Sequence, residues 1–223
     1  MRFAIPFLAA LAMFTLVACA GGDEETTTPP PLGERFLTAE DAPESKPDPD
    51  ELRQTTTDFD EFIAALDDRA VDLDIDEATE VFEEAGFQGS GVDTRFYGET
   101  HAPGESTHVV SSFIELNSGE GATRALDWLE SDSRSPCPMS CATQISTFDV
   151  DDLEDGRGVR RVATAEDIER VGTANERPFE SYWVGFTIGS LAYAVDLFGL
   201  PGSVTEEQAL DIASAYHDRL TGA

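Results

Sequence analysis

The chain has 223 residues, 45 of them Asp or Glu and 14 Lys or Arg, for a formal net charge of −31, and 40% are apolar. This length suits one good-sized domain, and the apolar share is ample for a packed core, which excludes a wholly disordered chain. The charge excludes a nucleic-acid binder, because phosphate neutralisation needs clustered cations, and Lys46 is the only lysine.

The N-terminus reads as a targeting segment. Arg2 is a short positive start, and Phe3 to Ala18 then runs apolar, broken only by Pro6 and Thr15. That run is shorter than the ~20 residues a spanning helix needs and fits the core of a signal peptide. It ends in Leu16-Val17-Ala18-Cys19, which resembles the bacterial lipobox. The resemblance implies that residues 1–18 are a lipoprotein signal peptide and that Cys19 becomes the acylated first residue of the mature chain. The membrane is then a partner through the acyl chains, and two or three of them make the anchor durable. The implied address is extracytoplasmic, on the cell membrane. Ala20 carries no Asp-type retention signal, so the outer membrane is expected where the cell has two.

Residues 19–57 read as an acidic, Pro/Thr-rich tether. Asp23-Glu24-Glu25, Thr26-Thr27-Thr28, Pro29-Pro30-Pro31, Pro43, Pro47 and Pro49 follow one another with no apolar period. Such a stretch buries too little surface to offset its ordering entropy, and proline and like charge keep it extended. Arg35-Phe36-Leu37 is the one patch suited to docking on a domain, but a solvated spacer is expected throughout.

Residues 58–223 read as a single α+β domain. Phe59, Phe62, Ile63 and Leu66 have helical spacing between Asp58 and Asp68. Asp76 is placed to cap a second helix with Ala78, Val81, Phe82 and Ala85 on one face, stopped by Gly86. Strands are expected at Val92–Tyr97 and Thr107–Leu116, and a third helix from Ser118. Further strands are expected at Gln144–Val150 and Gly158–Ala163, then a hairpin of Tyr182–Ile188 and Leu191–Phe198 across Gly189-Ser190. Ser203 with Glu206 has capping-box spacing for a last helix carrying Ala209, Leu210, Ile212, Ala213, Tyr216 and Leu220. Strands and helices do not alternate regularly, so the expected fold is an antiparallel sheet of about five to six strands with helices packed on it.

Tyr182-x-Val184-x-Phe186, a tight turn, Tyr193-x-Val195, Pro201-Gly202 and an Ala/Ile-rich amphipathic helix form a pattern. It resembles exported actinobacterial lipoproteins, the extracellular sensor domains of actinobacterial Ser/Thr kinases and, at a distance, the Mog1/PsbP-like fold. The resemblance implies a binding or sensing module rather than an enzyme. Its partner would be an unknown small molecule or protein.

Few residues point to chemistry. With Cys19 acylated, Cys137 and Cys141 remain, and outside the cytoplasm the default for them is a disulfide closing a short loop. The alternative is a copper or thiol site. Cys137-Pro138-x-x-Cys141 resembles the copper motif of Sco-type proteins, and thiolates select Cu(I); the downstream histidine of that family is replaced here by Leu197. Asp72-x-Asp74-x-Asp76 with Glu83 has EF-hand spacing, but Glu77 stands where that loop needs glycine. His101 and His108 flank a turn without a third ligand at matching spacing. No metal, cofactor or catalytic residue is expected, because no nucleophile elbow, Ser-x-x-Lys pair or phosphate loop is present. A secreted enzyme of hydrolase type remains the alternative function. The best ligand candidates are the aromatic residues Tyr182, Trp183, Phe186 and Tyr193. Alternation puts Trp183 on one sheet face and Tyr182 and Phe186 on the other, so one set is core and the other either lines a cleft or packs under a helix.

The charge carries a further expectation. Acidic self-repulsion destabilises a compact state, and near-absent lysine is the surface habit of salt-adapted organisms. The melting temperature should therefore rise with NaCl up to about 0.2 M, where screening dominates over salting-out. A flat or falling profile over that range would refute salt adaptation.

Overall fold

The computed structural model describes residues 30–48, 53–69, 74–98, 107–134, 144–166, 168 and 177–223. A 3-10 turn at Leu32–Glu34 leads into β1 (Ser45–Pro47), β2 (Gln54–Thr56), α1 (Phe59–Arg69), α2 (Ile75–Glu84), β3 (Gly89–Tyr97) and β4 (Thr107–Glu115). Then come α3 (Gly119–Arg134), β5 (Gln144–Phe148), β6 (Arg157–Ala163), β7 (Phe179–Ile188), β8 (Leu191–Gly199) and α4 (Glu206–Thr221). The strands form one eight-stranded antiparallel sheet, in the order β1-β3-β4-β8-β7-β6-β5, with β2 also paired to β3. β1 takes Arg95–Tyr97 and β2 takes Ser90–Val92, so the two share one edge of β3.

The α+β antiparallel architecture is as expected, but the sheet is larger than the five to six strands read from periodicity. The added strands, β1 and β2, are three residues each and come from the Pro-rich, acidic stretch. Edge strands this short carry no countable alternation, and Pro47 is tolerated because an edge strand can dispense with an N–H.

Helices cover both faces of the sheet. On one face α1, α2 and α3 bury Phe62, Ala78, Phe82, Ala122, Ala125 and Leu126 against Ile114, Trp183, Ala192 and Ala194. Phe62 stacks on Phe87 and meets Phe82 edge-on, and Phe82 meets Trp128, so aromatic contacts join the three helices. On the other face α4 lays Ala209, Ile212, Ala213 and Tyr216 on Tyr182, Val184, Phe186, Tyr193 and Val195. β7 and β8 are therefore buried on both sides, which is why they read as near-continuous apolar runs. Their turn is the expected two-residue one, with Gly189 at φ +57°, a conformation that favours glycine.

Residues 30–48 are not a solvated tether. They form a strap across the α4 face, with Phe36, Leu37 and Ala42 fully or nearly fully buried. Phe36 meets Phe113 edge-on, and a Cβ at Gly91 would stand 2.8 Å from Phe36 and 2.5 Å from Phe113. The bare backbone at Gly91 thus makes room for the strap. Arg35 pairs with Glu115 at 2.6 Å, and its carbonyl accepts a hydrogen bond from the Tyr216 hydroxyl. A few scattered hydrophobic residues in a mostly polar stretch set no period, so composition concealed their burial. Within the stretch read as tether, residues 53–57 also belong to the domain, through β2.

Two caps shift. Asp74, not Asp76, caps α2 by accepting from the Glu77 N–H, so the helix starts two residues early and takes in Ile75. The capping box of α4 is Thr205 with Gln208. Ser203 is used elsewhere, its hydroxyl closing the Pro201-Gly202 turn on the Leu200 carbonyl at 2.7 Å.

That turn is held by Glu180, whose carboxylate accepts from the Gly202 N–H at 2.8 Å, Arg160 Nε at 2.9 Å and the Tyr182 hydroxyl at 2.8 Å. Burial by itself raises the Glu180 pKa, but these three donors outweigh it and hold the carboxyl below the usual glutamate range. A folded value below the unfolded one gives stability that is present above the unfolded pKa and lost as pH falls through the folded one. Glu180→Gln should cost about 1–3 kcal/mol at pH 7, the worth of hydrogen bonds to a charged group. Its deficit in urea melts should shrink at pH 3. An equal deficit at both pH values would assign the cost to packing.

Candidate functional site

A cleft of about 490 Å³ opens between α1 and the sheet, within the ~300–1,000 Å³ range of small-molecule sites. Its floor is the β3–β4 ladder at Ser90, Gly91, Val92, Ser112, Phe113 and Ile114. Glu61, Phe62, Ala65 and Leu66 of α1 and Leu129 of α3 form one wall, and Arg53, Gln54, Thr55 and Thr56 form the other. The cleft exists because the floor residues are small where the helix layer is thin. On the sheet face covered by α1, α2 and α3, Val92 sits opposite Ser112 and Ser90 opposite Ile114. α1 is held through Phe59, Phe62 and Phe87, leaving Ala65 and Leu66 over short serine side chains.

The cation at the cleft is already paired. The Arg53 guanidinium lies 4.1 Å from the centre of the Phe36 ring and 3.4 Å from the Asp93 carboxylate. Glu61 accepts a 2.7 Å hydrogen bond from the Thr56 hydroxyl and lies in the first turn of α1, where the helix dipole favours an anion. Among the described residues, neither histidine nor cysteine lines the cleft.

The aromatic residues expected to hold a ligand are elsewhere. Tyr182, Phe186 and Tyr193 are in the core under α4, and Trp183 is in the core under α3. Phe186 stacks on Tyr193, and both meet Tyr216 edge-on. Burial raises the Tyr193 and Tyr216 hydroxyl pKa values well above the ordinary tyrosine range, so both stay protonated. Periodicity left the second face of β7 to a cleft or to a helix, and helices cover both faces. None of the four lines the cleft.

Cys19, Cys137, Cys141, His101 and Asp72 lie outside the described residues. His108 is in β4 between the rings of Phe96 and Phe198, with Nδ1 3.9 Å from Asp48. Asp74 is engaged as a helix cap, while Asp76 and Glu83 are exposed on α2. Sequence reasoning missed Ser90, Ser112 and Ala65. Their one signal is a small residue two before an apolar one on each strand, Ser90-x-Val92 and Ser112-x-Ile114.

No protein-family model matches this chain, and no curated protein matches it. Among solved structures, the chain is similar to the extracellular domain of PknH from Mycobacterium tuberculosis, at 10% identity and a TM-score of 0.47. The match covers 80% of this chain and 86% of that one. No helix among the described residues is long and apolar enough to cross a membrane.

Proposed function

We propose that this protein is a lipid-anchored, extracytoplasmic binding or sensor-like module, non-catalytic, that takes a small molecule in the cleft beneath α1. The observation that carries the reading is the cleft itself, concave, largely apolar and edged by hydroxyls. Its hydroxyls have no histidine beside them to act as a base, which favours binding over nucleophilic catalysis. The lipobox at Cys19 supports the anchor, and in an exported chain Cys137 and Cys141 are paired as a disulfide.

One experiment tests each half. Cys19→Ser should abolish incorporation of labelled fatty acid and release the protein from membranes; unchanged membrane fractionation would overturn the anchor. For the cleft, the uncharged fluorophore N-phenyl-1-naphthylamine should brighten on the purified domain. Ala65→Trp, which fills the cleft from α1, should abolish the signal while leaving the melting temperature within a few degrees. Equal binding by both proteins would overturn the site.

A further inference from the structure

The cleft also restricts its ligand's chemistry. On the floor, Ser90, Val92, Ser112 and Ile114 form a quadrilateral on one sheet face, the two serines on one diagonal and Val92 and Ile114 on the other. The Ser90 and Ser112 hydroxyls make no hydrogen bond among the described residues, although each lines the cleft. Around this patch the surfaces of Phe62, Leu66 and Leu129 are apolar. Among the described residues the lining holds one cation, Arg53, paired with Asp93 and lying over the Phe36 ring, and one anion, the exposed Glu61, which accepts only from the neutral Thr56 hydroxyl. An anion entering the cleft would lose its hydration without gaining a free counter-ion, and a cation would meet only the exposed Glu61, a solvent-exposed pairing that is weak against the hydration lost. The net charge of −31 further repels anions.

We infer that the cleft selects an uncharged amphiphile, with an apolar body against Phe62, Leu66 and Leu129 and a hydroxyl or carbonyl group bonded by Ser90 and Ser112. The inference rests on the cleft being the binding site. Leu66 and Leu129 accept aliphatic or aromatic bodies alike, because neither imposes the planar stacking that an aromatic clamp would. The two serines, each donor and acceptor, suit an alcohol or ester oxygen equally.

The test is displacement of N-phenyl-1-naphthylamine by three molecules that share a ten-carbon chain and differ only in head group: 1-decanol, decanoate and decylamine. It is run at pH 7 in 0.5 M NaCl, where screening shortens the acidic surface's reach to about 4–5 Å, so that cation condensation on the surface does not mimic cleft binding. Decanol should displace the probe at a concentration at least about tenfold below that of either charged analogue. Ser90→Ala with Ser112→Ala should weaken decanol about five- to tenfold, the loss of one or two hydrogen bonds, with the melting temperature unchanged. Decanoate or decylamine displacing as well as decanol, with Ala65→Trp still blocking the probe, would overturn the neutral-ligand inference and leave the cleft standing. Failure of the probe to bind, or binding indifferent to Ala65→Trp, would overturn the cleft and the inference together.

Discussion

A chain shortened to begin at residue 58, where helical periodicity starts, is expected to lose its cooperative melting transition, while one beginning at residue 30 keeps it. The shorter chain lacks the strap and with it Phe36 and Leu37, which are 2% and 0% exposed. Each such side chain contributes about 1.5–3 kcal/mol on burial. It also lacks β1 and β2, which would leave the outer edge of β3 unpaired, and it strands Glu115, Tyr216 and Arg219 without their strap partners. Against a total stability of about 5–15 kcal/mol, these losses are sufficient to unfold the domain. Circular dichroism melts of the two chains decide the matter. Similar transitions in both would mean that the strap is a passive cover. Leu37→Ala isolates the apolar part and should cost about 2–5 kcal/mol.

The second large effect is at the other end of the chain. Arg219, in the last turn of α4, holds the strap through three acceptors. Its Nε reaches Asp41 Oδ1 at 2.7 Å and Oδ2 at 3.0 Å, and its two terminal nitrogens reach the carbonyls of Glu34 and Phe36, each at 2.8 Å. The Asp41 side chain is fully buried, and it also accepts from the Thr38 N–H and hydroxyl. Arg219→Ala leaves that carboxylate buried without its counter-ion, a change that costs about 3–5 kcal/mol. For a domain of this size the melting temperature should fall by roughly 8–15 °C. Arg219→Lys keeps the charge but loses the planar fork, so it should fall between wild type and alanine. A loss below about 1 kcal/mol in Arg219→Ala would show that the strap is held by Phe36 and Leu37 alone. The geometry makes the strap and α4 one unit, so the two ends of the domain should unfold together.

The helices and the central hairpin were legible because each has a period. Phe59, Phe62 and Leu66 repeat at helical spacing, and the largely apolar runs of β7 and β8 are divided at Gly189-Ser190. The caps moved by two residues because several side chains in each region were competent and the local turn decided between them, as when Ser203 closed on Leu200. Whether the second aromatic set lined a cleft or packed under a helix was not legible, because composition does not say whether a sheet is covered on one face or two. β7 proved to be buried between α3 and α4, and its tyrosines and tryptophan became core.

What the sequence determined by itself is what depends on near neighbours: the helix and strand periods, the antiparallel hairpin and the acidic charge. These follow from spacing along the chain, which folding does not alter. The strap and the cleft were decided only in three dimensions. Phe36 has meaning because Gly91 and Phe113, far away in sequence, leave a seat for it. The cleft is a space rather than a residue, formed where Ser90 and Ser112 on two paired strands fall beneath Ala65 of α1. No local pattern encodes that coincidence, because the absence of bulk at one position matters only when another element passes over it.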